Sequence, residues 1–380
     1  MAFHMYTEEQ KEIIELVRKF AKNEITPYVQ EWEESGEFPK AVIEAGLKMG
    51  LQGMDYEEKY GGAGLDTKTA CVVFEELAKA DIGIACAYSV TGTAMAPIMI
   101  YGTEEQKQMC ADLVLRKGGL ASFCLTEPEA GSDSGNSHLT ATKREDGSYV
   151  LNGTKLFITN GGHAEVYFVV AATDRSLKTK GLSGFIVTKG TPGLSIGKEE
   201  NKCGFRTSNT VELVFRDVVV PAENMVGKEG DGFKLAMVAL DHGRPFIGAA
   251  ALGLAQRALE ESIAYSKVRH QFGKPICANQ GIQFMLADME IKTEAARCLV
   301  YHVAELIDAG QPITMNGSIA KCYATDAAMQ VAIDAVQIFG GYGYMKEYPV
   351  EKLMRDAKIL QIVEGTNQIQ RVVISKQLLK

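Results

Sequence analysis

The chain has 380 residues, 46% of them hydrophobic and 23% charged, a balance that excludes disorder and is long enough for two or three domains. A formal net charge of −8 sets aside nucleic-acid binding, which calls for a basic face, but leaves room for a polyanionic ligand held by local Lys and Arg. The eight cysteines (Cys71, Cys86, Cys110, Cys124, Cys203, Cys277, Cys298, Cys322) are dispersed without a C-x-x-C pair, so they read as reduced, buried thiols and not as a disulfide framework or zinc site.

The first residues, "MAFHMYTEEQ", lack the basic-then-apolar order of a signal peptide. No apolar stretch reaches the length of a membrane span; even "GAAALGLAQRALEESIAYS" is interrupted by Gln256 and Arg257. The expected location is the cytoplasm, with no membrane or nucleic-acid partner.

Residues 1–122 read as helices. Thr7 with Gln10 spells a capping box, and Ile13, Ile14, Val17, Phe20 and Ala21 form one apolar stripe. "TACVVFEELAKA" and "EEQKQMCADLVL" follow the same period, and "EEKYGGAG" is a glycine-rich turn. Over residues 123–232 the pattern changes. Asp146-Gly147, Asn152-Gly153 and Asn160-Gly161 punctuate the runs "SYVL", "KLFIT", "VYFVVAA", "SGFIVT", "TVELVF" and "VVVP". Short strands at this spacing predict a β-barrel or sandwich, not a βαβ sheet. Residues 233–380 are helical again, with periodic runs at 249–267, 281–308 and 317–338 that suggest antiparallel neighbours in a bundle. The predicted fold class is therefore α+β multidomain: an N-terminal all-α domain, a central β domain and a C-terminal helical bundle.

The sequence holds no G-x-G-x-x-G, P-loop, H-E-x-x-H or G-x-S-x-G, and its six histidines show no metal spacing, so no metal is expected. "LTEPEAGSDSG" reads either as a structural loop or as N–H groups and hydroxyls (Thr126, Ser132, Ser134) offered to a phosphate or heterocycle. "KVRHQFGKPI", with Arg269, Phe272 and Lys274, reads alone as a solvated charge cluster. In "QIFGGYG" a helix C-cap explains one glycine, whereas the pair Gly340–Gly341 permits close approach by a ligand. "QIVEGTNQIQR" places Glu364 at a break between two apolar helical runs, where an ordinary helix-end acid is the plain reading.

Taken in chain order, "FCLTEPEAGSDSG", "NGTKLFITNGG", "LDHGRPFIGAAALGLAQRALEESIAYSKVRHQFGKPI", "AVQIFGGYGY" and "YPVEKLMRDAKILQIVEGTNQIQR" strongly resemble the acyl-CoA dehydrogenase family over essentially the whole chain. The resemblance implies the α–β–α fold with a C-terminal four-helix bundle. It implies FAD bound between the β-domain and the bundle, and a homotetramer built as a dimer of dimers. Phe123, Leu125, Thr126 and Ser132 then lie along the flavin, with Phe157 and Thr159 against its ring; many relatives carry tryptophan where Phe157 stands. Arg269, Phe272, Gln280, Gln337, Gly340 and Gly341 match contacts to the FAD of a neighbouring subunit, and Thr366 and Gln368 further flavin contacts. Ser132, Asp241, Arg244, Val363 and Gly365 fall at the acyl-CoA.

In the short- and medium-chain branch the glutamate of the E-G-T motif, here Glu364, is the base that removes the thioester α-proton while hydride leaves the β-carbon for flavin N5. Another branch takes its base from the residue before the arginine of "LDxxR"; that position is Gly243. Most E-G-T members have tyrosine before the glutamate, and Val363 implies a wider pocket suited to an α-branched or alicyclic acyl group. "GIACAYSVTGTAMAPI" contains no Arg or Lys, which disfavours glutaryl-CoA, and Tyr88, Ser89 and Thr91 are expected at the pocket floor. Electrons are expected to pass to electron-transferring flavoprotein. The same site could run as an enoyl-CoA reductase or an acyl-CoA oxidase, and a non-catalytic FAD-fold scaffold is the remaining alternative.

Overall fold

Thr7 and Gln10 close the expected capping box: each side chain accepts the other's backbone N–H at 3.1 Å. The helix it starts, α1 (Glu8–Phe20), turns Ile14, Val17 and Phe20 inward. The computed structural model describes residues 6–380, so the signal-peptide reading of the first residues, and His4 with it, falls largely outside them. Helices α2 (Val29–Ser35) and α3 (Lys40–Lys48) follow. Asp66 caps α4 (Thr67–Ala80), Asp81 caps α5 (Ile82–Tyr101), and Thr103 with Gln106 forms a second capping box for α6 (Glu104–Ala111).

One expectation needs correcting here. By length and composition α5 is apolar enough to cross a membrane. It is buried almost throughout inside the protein, however, and a helix apolar all round is what a core position requires.

The strands are β1 (Ala121–Cys124), β2 (Thr140–Lys143), β3 (Tyr149–Thr159), β4 (Val166–Ala172), β5 (Leu182–Thr188), β6 (Leu194–Glu199), β7 (Thr210–Val220) and β8 (Met225–Val226). They form one sheet in the order β6-β7-β3-β2-β4-β5-β8, with β1 pairing β4 in parallel. "VYFVVAA" is a continuous apolar run because β4 is buried on both faces. Val166, Phe168 and Val170 join a core with Met95 and Ile98 of α5, while Tyr167 and Val169 join a second core with Leu151 and Phe215.

Two of the three turn dipeptides are turns. Asn152-Gly153 is not: β3 runs straight through it as one strand, with a register shift against β7 between Leu151 and Gly153. Gly153 has φ +142°, and a Cβ there would lie 2.8 Å from Leu139 Cα, so a bulge with close backbone approach uses the same glycine a turn would. "TVELVF" and "VVVP" likewise belong to the single strand β7.

The C-terminal part consists of α7 (Gly232–Val268), a hairpin of β9 (His270–Gln271) and β10 (Lys274–Pro275), α8 (Gln280–Asp308), α9 (Thr314–Phe339), α10 (Val350–Leu360) and α11 (Asn367–Leu378). Residues of α4 and α5 share one apolar core with α7, α8 and α9. Among the cysteines, Cys71, Cys86, Cys110, Cys124 and Cys322 are buried as expected, but Cys203 and Cys298 are exposed. The first of these lies in the loop between β6 and β7.

A buried ion pair ties the sheet together. Lys155 of β3 is fully buried and donates to Leu125 O at 2.8 Å and to Glu127 Oε1 at 2.7 Å. Glu127 also accepts the Ser137 hydroxyl and the N–H groups of His138 and Leu139. Removing Lys155 leaves the Glu127 charge buried and uncompensated, which costs about 3–5 kcal/mol. Lys155→Met should therefore lower unfolding stability by about that amount in urea titrations, and Lys155→Met with Glu127→Gln, which removes the orphaned charge but keeps an oxygen for the Ser137, His138 and Leu139 donors, should recover part of it.

Candidate active site

The helical run breaks after α10 because two successive residues are left-handed: Glu364 at φ +52° and Gly365 at φ +87°. Glycine adopts this freely, but for a glutamate the conformation costs of order 1–3 kcal/mol and needs support. Three side chains supply it. Gln370 Nε2 donates to both Glu364 O and Gly365 O at 3.0 Å. Lys321 Nζ donates to Gly365 O at 2.9 Å, and the Thr366 hydroxyl caps α11 by accepting Ile369 N–H at 3.2 Å. The turn leaves Glu364 N–H without an acceptor among the described residues.

The carboxylate is pressed against α7 at the one place that can take it. A Cβ at Gly243 would lie 2.5 and 2.8 Å from the two carboxylate oxygens and 2.7 Å from Thr93 Oγ1, so any larger residue would displace the carboxylate from this position. Although Glu364 as a whole is half-buried, its Oε2 is sealed from solvent and has no hydrogen-bond partner among the described residues. Burial pushes its pKa up to about 7, against the opposing pull of Lys321, Arg244 and His242. A carboxyl group poised near neutrality in a sealed site is suited to taking up a proton.

Around it, Arg244 is buried and paired with Asp241, whose second oxygen accepts the Thr314 hydroxyl of α9 at 3.1 Å. His242 Nε2 lies 2.8 Å from Asp55 Oδ2. From α5, Thr93 faces the carboxylate, and Cys86 lies close enough for the charge of Glu364, added to burial, to push its thiol up. Cys86 and Thr93 are two helical turns apart, on one face.

The expected pocket floor is corrected in part by the same periodicity: Ser89, whose carbonyl accepts the Thr93 hydroxyl at 3.1 Å, shares the face of Cys86 and Thr93, but Tyr88 and Thr91 do not. Tyr88 points the other way, its hydroxyl donating to Val42 O and Ile43 O of α3 at 3.2 Å, and Thr91 accepts Ala121 N–H at the edge of the sheet. An all-apolar helix gives no pattern from which its inward faces can be told apart.

The remaining sequence-derived positions fall into two groups. On the sheet, Thr126 O accepts Leu156 N–H, Leu125 O accepts Lys155, and Thr159 O accepts the Ser122 hydroxyl, so these positions and Phe123 on β1 are adjacent. Phe157 sits at a left-handed bulge, φ +58°, with 57% of its surface exposed. Ser132 is exposed in the loop that follows β1.

At the bundle end, Arg269 lies over the Tyr342 ring at 5.3 Å, which brings it beside Gly340 and Gly341. Phe272 is 96% exposed at the tip of the β9–β10 hairpin, and Gln280, Gln337 and Gln368 are exposed as well. Val363, Gly365 and Thr366 adjoin the carboxylate by sequence. Lys321, Gln370 and Thr93 escaped sequence reasoning; for Lys321 the signal was its place, with Asp326 as the one other charge, in the small-residue run "SIAKCYATDAAM".

The whole length is accounted for by three successive family domains: acyl-CoA dehydrogenase N-terminal domain over residues 7–115, middle domain over 122–218, and C-terminal domain over 230–379. The short-chain specific acyl-CoA dehydrogenase of Megasphaera elsdenii is 48% identical over 378 residues, 98% of this chain and 99% of the relative. The solved butyryl-CoA dehydrogenase of that organism superposes with TM-score 0.97 at 48% identity, covering 100% of both chains. A chain in a structure described for the electron transferring flavoprotein of Acidaminococcus fermentans matches with TM-score 0.97, 46% identity and 100% of both chains. PigA with FAD and proline matches with TM-score 0.94 at 29% identity, over 100% of this chain and 99% of PigA. The chain thus belongs to the acyl-CoA dehydrogenase family of FAD flavoproteins and is an oxidoreductase.

Proposed function

We propose that this protein removes the α- and β-hydrogens of a short-chain acyl-CoA, giving the 2-enoyl-CoA, with Glu364 as the base. The observation that carries the reading is the Glu364 carboxylate itself: sealed, unpartnered at Oε2, pushed up to about 7, and held at a left-handed turn with its own N–H free.

The residues fit FAD. Gly340 and Gly341 have nothing within 4 Å of where a Cβ would stand, which leaves backbone open to a pyrophosphate beside the Arg269 guanidinium. Phe157 offers an exposed ring beside Leu125, Thr126 and Thr159, suited to the face of a heterocycle. Phe123, Ser132, Thr366 and Gln368 complete that side, while Phe272, Gln280 and Gln337 would reach the FAD of a second subunit in a homotetramer. The bound flavin supplies the acceptor for the hydride from the β-carbon.

The chain's own residues do the rest. The α-proton of a thioester is too weakly acidic for a carboxylate in water, so the developing enolate must be stabilised. Glu364 N–H, lacking an acceptor of its own, can donate to the thioester carbonyl, where negative charge grows. Sealing the carboxylate raises its proton affinity toward the working pH. The proton then resides on Glu364, and the two electrons of the broken α-C–H bond form the new double bond. Asp241 and Arg244, locked together, with Ser132 and Gly365, are assigned to the CoA moiety. Electron-transferring flavoprotein is the proposed acceptor and the reducing cytoplasm the proposed setting.

Glu364→Gln tests the base directly. The amide keeps the shape but cannot take a proton, so stopped-flow bleaching by butyryl-CoA should slow by about 10⁴-fold or more with acyl-CoA binding retained. Near-normal bleaching would move the base elsewhere. Arg269→Glu should weaken both FAD retention and subunit assembly, read by absorbance and by sedimentation; unchanged colour and mass would remove Arg269 from the flavin site.

Val363 is proposed to widen the space at the α-carbon for an α-branched or alicyclic acyl group. Val363→Tyr should overfill that space at a cost of about 1–3 kcal/mol, lowering the kcat/KM ratio of isobutyryl-CoA or cyclohexanecarboxyl-CoA to butyryl-CoA about ten- to a hundredfold. An unchanged ratio would leave an ordinary straight-chain enzyme.

A further inference from the structure

We infer that Lys321 is a positioning residue for Glu364: its buried ammonium fixes the Glu364–Gly365 turn and governs where the carboxylate ionises. The inference rests on the assignment of Glu364 as the base.

Lys321 lies in the middle of α9 and is 0% exposed. Taking an ammonium out of water costs several kcal/mol unless its donors are used and an opposite charge is near. Two donors are used, one to Gly365 O and one to Asn367 Oδ1, both at 2.9 Å. The contact on Gly365 O is made to the very turn that aims the carboxylate. Asn367 is itself fixed, giving its amide to Thr325 Oγ1 at 2.9 Å and to Asp326 Oδ1 at 2.7 Å.

The counter-charge is the second half of the argument. Asp326, one turn along α9, is already engaged by Arg371 of α11 at 2.9 Å, by Gln361 and by Asn367. Arg371 therefore answers Asp326, and the foremost negative charge acting on Lys321 is that of Glu364. Cys322 and, after it, Asp326 on the same helix act in the same direction as Glu364, and Arg244 of α7 acts against. Seen from Glu364, the cations are Lys321 first, then Arg244 and His242 of α7. Arg244 is answered by Asp241 and His242 by Asp55, while α5 contributes only the Cys86 thiol. Lys321 is thus the cation at this site without a carboxylate of its own apart from the base.

Burial pulls Lys321 down to about 8 and pushes Glu364 up to about 7. The base is ionised above the lower value, and the ammonium holds its proton below the upper one. Flavin reduction should therefore rise with pH through about 7 as the base ionises, and the base stays ionised as Lys321 loses its proton through about 8, the two values belonging to the coupled pair.

The test compares Lys321→Met and Lys321→Arg in the FAD-loaded protein. Ionisation of Glu364 is followed by infrared difference titration of the protonated carboxyl band, identified by its absence in Glu364→Gln. Lys321→Met should move the midpoint upward by about one pH unit or more and slow bleaching near neutrality about tenfold. Lys321→Arg, which keeps the charge, should leave the midpoint within about 0.3 unit. A midpoint in Lys321→Met equal to that of the parent overturns the inference. If Lys321→Met yields no FAD-loaded protein, Lys321→Gln, which keeps N–H donation without charge, is judged by the same midpoint. Failure of the base assignment looks different: the carboxyl band would vanish in Glu364→Gln while bleaching continued.

Discussion

A carboxylate taken out of water is the constraint around which this protein is built. Left alone it would either unfold its surroundings or stay protonated. Here burial prevails over the opposing pull of the nearby cations without overwhelming it, so the group ionises near 7. The balance depends on backbone as much as on charge. Gly243 must lack a side chain so that the oxygens can lie against α7, and Glu364 must be left-handed so that they point there. An alanine at position 243 or an ordinary helical turn at 364 would each displace the same atoms.

Both ends of that turn are anchored by polar networks, which fits a site whose geometry matters to fractions of an ångström. On the α11 side Gln370 and Lys321 hold the carbonyls, and Asn367 accepts from Lys321 and holds it in place. On the α10 side Lys352 bonds Asp81 at 2.8 Å and Asp356 at 2.5 Å, and Arg355 reaches Glu33 and Cys203 O. Asp356 also takes Phe205 N–H at 2.7 Å. These contacts join α10 to the first helices and to the loop before β7, so the helix leading into the base is fixed by all three parts of the chain. The apolar core shared by α4, α5 and α7 makes the opposite wall equally rigid.

The sequence reveals most plainly those features that follow a period or a forced backbone. The α–β–α order, the capping box at Thr7 and the glycine after Glu364 are of this kind. Other features were hidden for physical reasons. Asn152-Gly153 spells a turn, yet a bulge needs the same freedom from a Cβ, and only the pairing with β7 separates the two. Tyr88 and Thr93 look equivalent in α5 because a helix buried on every side has no polar face to mark direction. Lys321 reads as a surface lysine until α7 and α11 are seen to close over α9, and cysteines such as Cys203 carry no local sign of exposure.

One consequence of this arrangement concerns how acyl selectivity could vary without disturbing the chemistry. The side chains that clamp the base come from α9 and α11: Lys321 and Gln370 act on the carbonyls of the turn, and Asn367 holds Lys321. Those facing the carboxylate from the other side, Cys86 and Thr93, come from α5, and Val363 precedes the turn without taking part in its side-chain hydrogen bonds. Position 363 and the inward face of α5 can thus change size while the left-handed turn and its supports stay in place. Substitutions in the clamp have no such freedom, because each removes a partner from a buried polar group and leaves another unsatisfied. The division predicts that volume changes on the α5 face alter the ranking of substrates, whereas changes in the clamp alter the ionisation of Glu364 for every substrate alike.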